Sequence, residues 1–164
     1  ALLDTKYNDD NFRGRLALHT GTYVESNYAA EPQLLKNIFE ASAGFKLFDK
    51  VWIDAGIFPA HIGFESAISK DNWTYSRSLM ADYSPYYEAG VKVSTNFTDN
   101  FSGQFLVLNG WQNIKENNNS KAVGFQFQYK PLDKLTLTYN NFLGNEMPDN
   151  APELRFFNLN KKAA

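Results

Sequence analysis

Short polar turns alternate with long connections along this chain of 164 residues. The tight turns are predicted at residues 8–11, 48–50, 98–100 and 131–134, and the long connections at residues 20–36, 58–85, 112–121 and 144–152. Between them, apolar and polar residues alternate with a period of two, which is the side-chain period of a β-strand. Hairpins that are short at one end and long at the other, combined with apolar outward faces, are typical of an antiparallel up-and-down transmembrane β-barrel.

The alternation defines seven strands, at residues 12–18, 38–47, 51–57, 86–95, 101–111, 122–130 and 135–143. The clearest segment separates an apolar face from a polar one: Val123, Phe125, Phe127 and Tyr129 against Gly124, Gln126, Gln128 and Lys130. A helix of 3.6 residues per turn would spread these aromatic side chains all round its surface, so the helical interpretation fails. In the 101–111 segment both faces are apolar near Leu106 and Leu108, and the pattern does not settle which face is which.

Composition excludes several other classes of protein. With 16 Lys and Arg against 18 Asp and Glu, the net charge is −2, and the absence of a basic patch argues against a nucleic-acid partner. The longest apolar runs fall short of the roughly 18 residues that a transmembrane helix needs. Cysteine is absent, and the only histidines, His19 and His61, are too few and too isolated for a zinc site. We therefore expect no metal and no cofactor.

Two weaker strand candidates lie near the ends of the sequence, at residues 2–7 and 154–159. Bacterial single-chain barrels have an even number of strands, and seven strands plus two weak ones do not complete such a set. We therefore expect residues 1–164 to be a single segment of a larger barrel. The first residues lack the features of a signal peptide, so we expect that it was removed or that the chain begins inside a longer protein. Residues 73–81, inside the longest loop, could form either a short helix or a further strand.

The polar faces of the strands supply the candidate pore-lining residues. These are Arg13, Arg15, His19, Glu40, Lys46, Asp54, Glu88, Lys92, Gln104, Gln126, Gln128 and Lys130. Arg13, Arg15 and His19 share one strand face and would form a basic ladder that favours anions. Alternatively, they pair with Glu40, Asp54 or Glu88 on neighbouring strands, as charges in such positions usually do.

The longest loop, residues 58–85, carries a second candidate set. A long charged loop can fold into a barrel and narrow it, or it can serve as an external binding surface. The residues concerned are His61, Glu65, Lys70, Asp71 and Arg77. A Ser-His-acid hydrolase site in this loop is disfavoured because the sequence contains no nucleophile elbow and proximity along a loop shows no catalytic geometry. The chain is therefore predicted not to be an enzyme.

Several stretches together resemble the OmpL-like β-barrel porins of Bacteroidota-type gram-negative outer membranes. They are GTY at 21–23, NYAAEP at 27–32, LKN at 35–37, DAG at 54–56, ESAISKD at 65–71, SPYY at 84–87, LNGWQ at 108–112 and YNNFLG at 139–144. The resemblance implies an outer-membrane barrel with a polar lumen, and it implies neither catalytic residues nor a defined substrate. Members of that group are longer than this chain, which again indicates part of a barrel.

Two functions remain open, and both place the chain in the bacterial outer membrane in contact with lipid. The first is a porin for passive passage of small polar solutes. The second is a structural or partner-binding barrel, a subunit of an assembly of outer-membrane proteins, with its lumen plugged. A soluble β-sandwich or barrel is the alternative fold. The small residues on the apolar faces, such as Ala41, Ala43 and Ala55, disfavour it because they suit a face without a packing partner.

Overall fold

The computed structural model describes residues 1–66, 68–74 and 76–146, and this part of the chain is all-β. Eight antiparallel strands form one sheet in the order β1 to β8. Their bounds are β1 Leu2–Asn8, β2 Phe12–His19, β3 Ile38–Phe48, β4 Val51–Pro59, β5 Tyr87–Asn96, β6 Phe101–Leu108, β7 Ala122–Leu132 and β8 Leu135–Leu143. The seven predicted strands are confirmed, and the weak candidate at 2–7 is β1. The candidate at 154–159 lies outside the described residues.

Strand connections confirm the predicted alternation of short and long. Each strand pairs with the next along the chain, so the four short turns lie at one end of the sheet and the three long connections at the other. Within the described residues β1 and β8 are not paired with each other. The sheet is therefore open, as expected for part of a barrel.

Cross-strand register assigns each side chain to one of two faces. On one face the pairs Phe45 with Ile53 and Val93 with Phe105 belong to a single transverse row. This face is apolar, and many of its large side chains are between 38% and 60% exposed in the chain by itself, among them Phe45, Val91, Phe105, Phe127, Tyr129, Leu137 and Tyr139. The opposite face carries the charged and amide side chains. The parity read from the sequence is thus confirmed for both faces.

A small apolar cluster interrupts the polar face near the long-loop end. Phe58, Leu106, Leu108 and Ala122 are buried there, and Phe142 packs against them. The register pairs Lys92 with Leu106, which places both leucines on the polar face. Strand β6 ends at Leu108 rather than at the predicted residue 111.

The long connections contain little regular structure. The β2–β3 connection holds α1, Thr22–Asn27, and the β4–β5 connection holds a 3₁₀ turn at Ser69–Asp71 followed by α2, Leu79–Asp82. Of the two possibilities for residues 73–81, the short helix is found at their end, and its N-cap is the Ser78 hydroxyl, which accepts from the Ala81 amide. Among the described residues, all helices are too short to span a bilayer.

Candidate functional site

On the polar face of β2 to β5, Arg13 and Asp54 form a two-pronged ion pair. Arg13 Nε donates to Asp54 Oδ1 at 2.6 Å, and Nη2 donates to Asp54 Oδ2 and, at 3.2 Å, to Ser94 Oγ. Strand β3 lies between the two partners, and its residue in this row is Gly44. A Cβ at position 44 would lie 2.2 Å from Asp54 Oδ1. The missing side chain of Gly44 is therefore what lets Arg13 reach across a strand.

Arg15 is also paired on both sides. Its Nε and Nη2 each donate to the Asp4 carboxylate at 2.9 Å, and Nη1 donates to Glu40 Oε2 at 2.5 Å. Ser42 Oγ donates to the second oxygen of Glu40 at 3.1 Å. Of the two alternatives for the arginines, ion pairing is the one observed, with Asp54 and Glu40 among the predicted partners and Asp4 in addition.

The other predicted cations of this region are placed differently. His19, at the end of β2, has Nε2 2.9 Å from the Lys36 carbonyl oxygen and packs edge-on against Tyr28. The Lys46 ammonium lies 5.3 Å from the centre of the Trp52 ring, and the Lys92 ammonium lies 4.6 Å from the centre of the Phe58 ring. His19 is therefore separate from the arginine pairs, and the two lysines lie near aromatic rings.

The polar face of β6 to β8 carries amides instead of charges. Gln104 Nε2 donates to Gln126 Oε1 at 2.9 Å. Gln104, Gln126 and Gln128 line an open cavity of about 260 Å³ together with Arg13 and Trp52. Lys130 is exposed at the short-turn end of β7. The predicted amide residues are thus brought together, whereas Lys130 lies at the rim.

The start of the β4–β5 connection folds onto this amide region. His61 is 2% exposed and Glu88 is fully buried. His61 Nδ1 lies 2.9 Å from both oxygens of Glu88, and Nε2 lies 2.7 Å from the Asn141 carbonyl oxygen. Burial alone would lower the pKa of His61, but the hydrogen bond and charge of Glu88, with the Asn141 carbonyl, raise it above its ordinary value. The sequence allowed Glu88 as a partner of Arg13, Arg15 or His19, and the structure pairs it with His61 instead.

Three of the remaining loop residues line a second cavity, of about 300 Å³, between the loop and the first strands. Glu65, Asp71 and Arg77 line it from the loop, and Arg15 lines it from the sheet. The Glu65 carboxylate accepts from the amide and the hydroxyl of Ser78. These two hydrogen bonds join positions of the loop that are 13 residues apart.

Lys70 and Arg77 lie in different parts of the loop. Lys70 lies in the 3₁₀ turn. The Arg77 guanidinium lies 4.6 Å from the centre of the Tyr86 ring and donates to the Tyr23 hydroxyl at 3.2 Å. The pKa of the Tyr23 hydroxyl is raised, chiefly by burial. The loop is thus attached to the β2–β3 connection as well as to the sheet.

Glu31 is a buried acid that the sequence did not single out. Its Oε1 accepts from the Tyr87 hydroxyl at 3.0 Å and from the Ile114 amide at 2.7 Å. Tyr28 stacks on Tyr87 with ring centres 4.3 Å apart. These contacts join the β2–β3 connection, β5 and the β6–β7 connection. They cross 56 and 83 residues of sequence, so no local signal could have identified them.

Chemically, the polar face offers paired charges, amides and hydroxyls. Within the described residues, no group of three or more His, Asp or Glu side chains is arranged to hold a metal ion.

A family model described as "Putative beta-barrel porin-2, OmpL-like" matches residues 1–161. No curated protein and no solved structure matches the chain.

Proposed function

The chain belongs to the OmpL-like family of β-barrel porins, and from this membership we propose that it forms part of a channel for passive passage of small polar solutes. The observation that supports this most is the division of the sheet into two faces. One carries exposed aromatic and aliphatic side chains, and the other carries hydrogen-bonding groups. A wall between lipid and a water-filled lumen needs this division.

In this proposal the apolar face meets outer-membrane lipid and residues 1–164 are a single barrel segment. The short turns containing Asn8, Asp49, Asp99 and Asp133 face the periplasm, and the long connections face the exterior. This orientation follows the usual relation of turn length to side in outer-membrane barrels. No catalytic role is assigned to any residue of the chain.

The predicted polar set then lines the lumen, with Lys130 at its periplasmic rim. Because Arg13 is paired with Asp54 and Arg15 with Asp4 and Glu40, these two arginines add little uncompensated charge to the wall. We expect a weakly ion-selective channel, in contrast to the anion preference of an unpaired basic ladder.

Planar-bilayer recording of the full-length purified protein tests this function. Steady channels with a linear current–voltage relation are the expected result, and liposomes containing the protein should swell in small sugars. Deleting residues 65–77 should raise the conductance if the loop narrows the lumen, with circular dichroism confirming that the barrel still folds. Purified, folded protein that remains silent in both assays would contradict the proposal.

A second function is favoured by one specific observation. The His61 segment is bonded to β5, β7 and β8, and a loop fixed in this way could close the lumen. The chain would then be a structural or partner-binding subunit of an outer-membrane assembly. Silence in bilayers, combined with copurification of defined outer-membrane partners, would support this function over the porin.

A further inference from the structure

Three strands hold His61 on the polar face of the sheet. The Glu88 carboxylate of β5 contacts Nδ1 and also accepts from the His61 backbone amide at 3.3 Å. Gln126 of β7 donates its side-chain amide to the His61 carbonyl oxygen at 2.5 Å. Asn141 of β8 offers its backbone carbonyl to Nε2 at 2.7 Å. The segment is therefore attached to residues that lie 27, 65 and 80 positions further along the chain.

The space for the imidazole ring depends on a glycine. A Cβ at position 124 would lie 2.5 Å from the Cε1 and Nε2 atoms of His61. Any side chain at this position of β7 would push the ring away from Asn141. Gly124 is therefore part of the site, because its lack of a side chain leaves room for the ring.

Both ring nitrogens of His61 face acceptors, and this fixes the number of protons that the site needs. A carboxylate and a backbone carbonyl can only accept, so an imidazole that bonds both must carry two N–H groups. If the carboxyl proton instead sits on Glu88, the neutral ring still donates from Nε2, and the pair again holds two protons. Removing one proton leaves an Nδ1 lone pair against a carboxylate and a net negative charge in a buried site, which is unfavourable.

We propose that His61 and Glu88 form a proton-dependent latch that fixes the β4–β5 loop, residues 60–86, on the polar face. The latch is closed while the pair holds both protons and opens when one is lost. Around the ring, β7 presents Gly124 and Gln126 and β8 presents the Asn140 amide and the Asn141 carbonyl, all uncharged. On β5, Lys92 lies on the same face as Glu88 and interacts with it electrostatically.

The direction of the pH dependence follows from the raised pKa of His61. A group with a raised folded-state pKa stabilises its contacts fully below its unfolded value and loses that contribution as the pH rises through the folded value. The loop should therefore stay in place at mildly acidic pH and detach as the pH rises through the raised pKa of His61. The effect on conductance rests on the proposed function, whereas the latch itself does not.

Spin labels on the full-length protein in lipid nanodiscs measure the latch directly. Residues 1–164 contain no cysteine, so a pair of labels can be placed in one molecule, at Phe64→Cys in the loop and at Lys130→Cys on β7, both of which are exposed. Distances between them are recorded by double electron–electron resonance from about pH 6 to about pH 9.5, a span that includes the titration of a histidine with an ordinary pKa of ~6.5. One narrow distance distribution is expected at the acidic end and a broad one at the alkaline end.

Glu88→Gln is the decisive variant. A glutamine can donate its amide to Nδ1 of a neutral ring whose Nε2–H still donates to Asn141, so the contacts survive without the second proton. The distribution in this variant should stay narrow at both ends of the pH range. A wild-type distribution that does not change with pH, or a Glu88→Gln protein that broadens as the wild type does, would overturn the proposal.

Gly124→Ala opens the latch by steric means and should give the broad distribution at every pH. Gly14→Ala is the matched control, because the nearest atom to a Cβ there is 3.4 Å away, and it should behave as the wild type. If Gly124→Ala fails to fold, the Glu88→Gln result decides. In bilayers the wild-type conductance should rise with pH and that of Glu88→Gln should not. A silent protein with a normal distance change would contradict the channel and leave the latch intact.

Discussion

The polar side chains in the two halves of the polar face find their bonding partners by different chemistry. Across β2 to β5, charged side chains satisfy one another, as Arg13 and Asp54 do. Across β6 to β8, the groups are amides and small residues, and their partners include the loop, since Gln126 donates to the His61 carbonyl. The charged half lines an open cavity of about 460 Å³, while the β4–β5 loop is attached to the neutral half and to Glu88 at the adjoining end of β5.

This difference explains why the loop is attached where it is. A loop segment laid on the charged half would have to displace ion pairs and leave charges without partners, which costs more than leaving neutral groups without them. The neutral half offers amides that can bond to a backbone, and Gly124 leaves room for a ring.

The largest effect should come from a charge placed on the apolar face. Phe127→Arg should destabilise the folded protein by about 2–4 kcal/mol if position 127 lies near the bilayer midplane. Gln128→Arg, one residue further along β7 and on the polar face, is the matched control and should be tolerated. Urea unfolding in lipid vesicles measures both. Equal stability of the two variants would show that neither face meets lipid.

Gly44→Ala should damage the charged half selectively. The added methyl group would lie 2.2 Å from Asp54 Oδ1, so the carboxylate must move and the Arg13 pair must break or shift. We expect a loss of roughly 1–3 kcal/mol in the free energy of unfolding, typical of overpacking. Gly14→Ala should cost much less. A Gly44→Ala protein as stable as the Gly14→Ala protein would show that the close approach across β3 is not required.

Asp54→Asn tests whether the charge balance of this half sets ion selectivity. The variant keeps one acceptor for Arg13 but leaves its positive charge uncompensated, so channel current should shift toward anions. The stability cost should be about 1.5 kcal/mol, the low end for hydrogen bonds to charged groups. Reversal potentials in a salt gradient measure the shift, and Gln104→Asn, which changes no charge, is the control. An unchanged reversal potential would place Arg13 and Asp54 outside the ion path.

Gln104→Leu should have the smallest effect. It removes the neutral bond to Gln126, for which we expect a loss of about 0.5–1 kcal/mol and no change in ion selectivity. Gln126 keeps its bond to His61, so the loop should remain attached. Thermal unfolding in detergent measures the stability change, and a loss as large as that of Gly44→Ala would show that the two halves are not energetically distinct.

Strands and faces could be predicted from the sequence because a period of two is a local property. In the run from Val123 to Tyr129, the alternation of apolar and polar residues alone assigns each side chain to a face, and the cross-strand register confirms the assignment. The sequence predicts an end of β6 at residue 111, whereas the strand ends at Leu108. Its pattern is unclear there because Leu106 and Leu108 are apolar on a face that is otherwise polar. They contact Phe58 of β4 and Ala122 of β7, and such a cluster has no local signature.

The partners within the site could be predicted only in part. Charge alone allowed Arg13 to pair with Glu40, Asp54 or Glu88, and the choice depends on Gly44 standing between β2 and β4. The pairing of His61 with Glu88 spans 27 residues and depends on the path of a loop. The sequence did not predict this pair, because a loop contains no periodicity from which its path could be read.

The central claim is that the sheet separates lipid from water, and a spin-label accessibility scan of β7 tests it most directly. Single labels at residues 125 to 130 of the full-length protein in lipid vesicles are exposed in turn to oxygen, which concentrates in lipid, and to a water-soluble nickel chelate. Labels at Phe125, Phe127 and Tyr129 should respond mainly to oxygen, and those at Gln126, Gln128 and Lys130 mainly to the chelate. Loss of this alternation, or its inversion, would contradict the account.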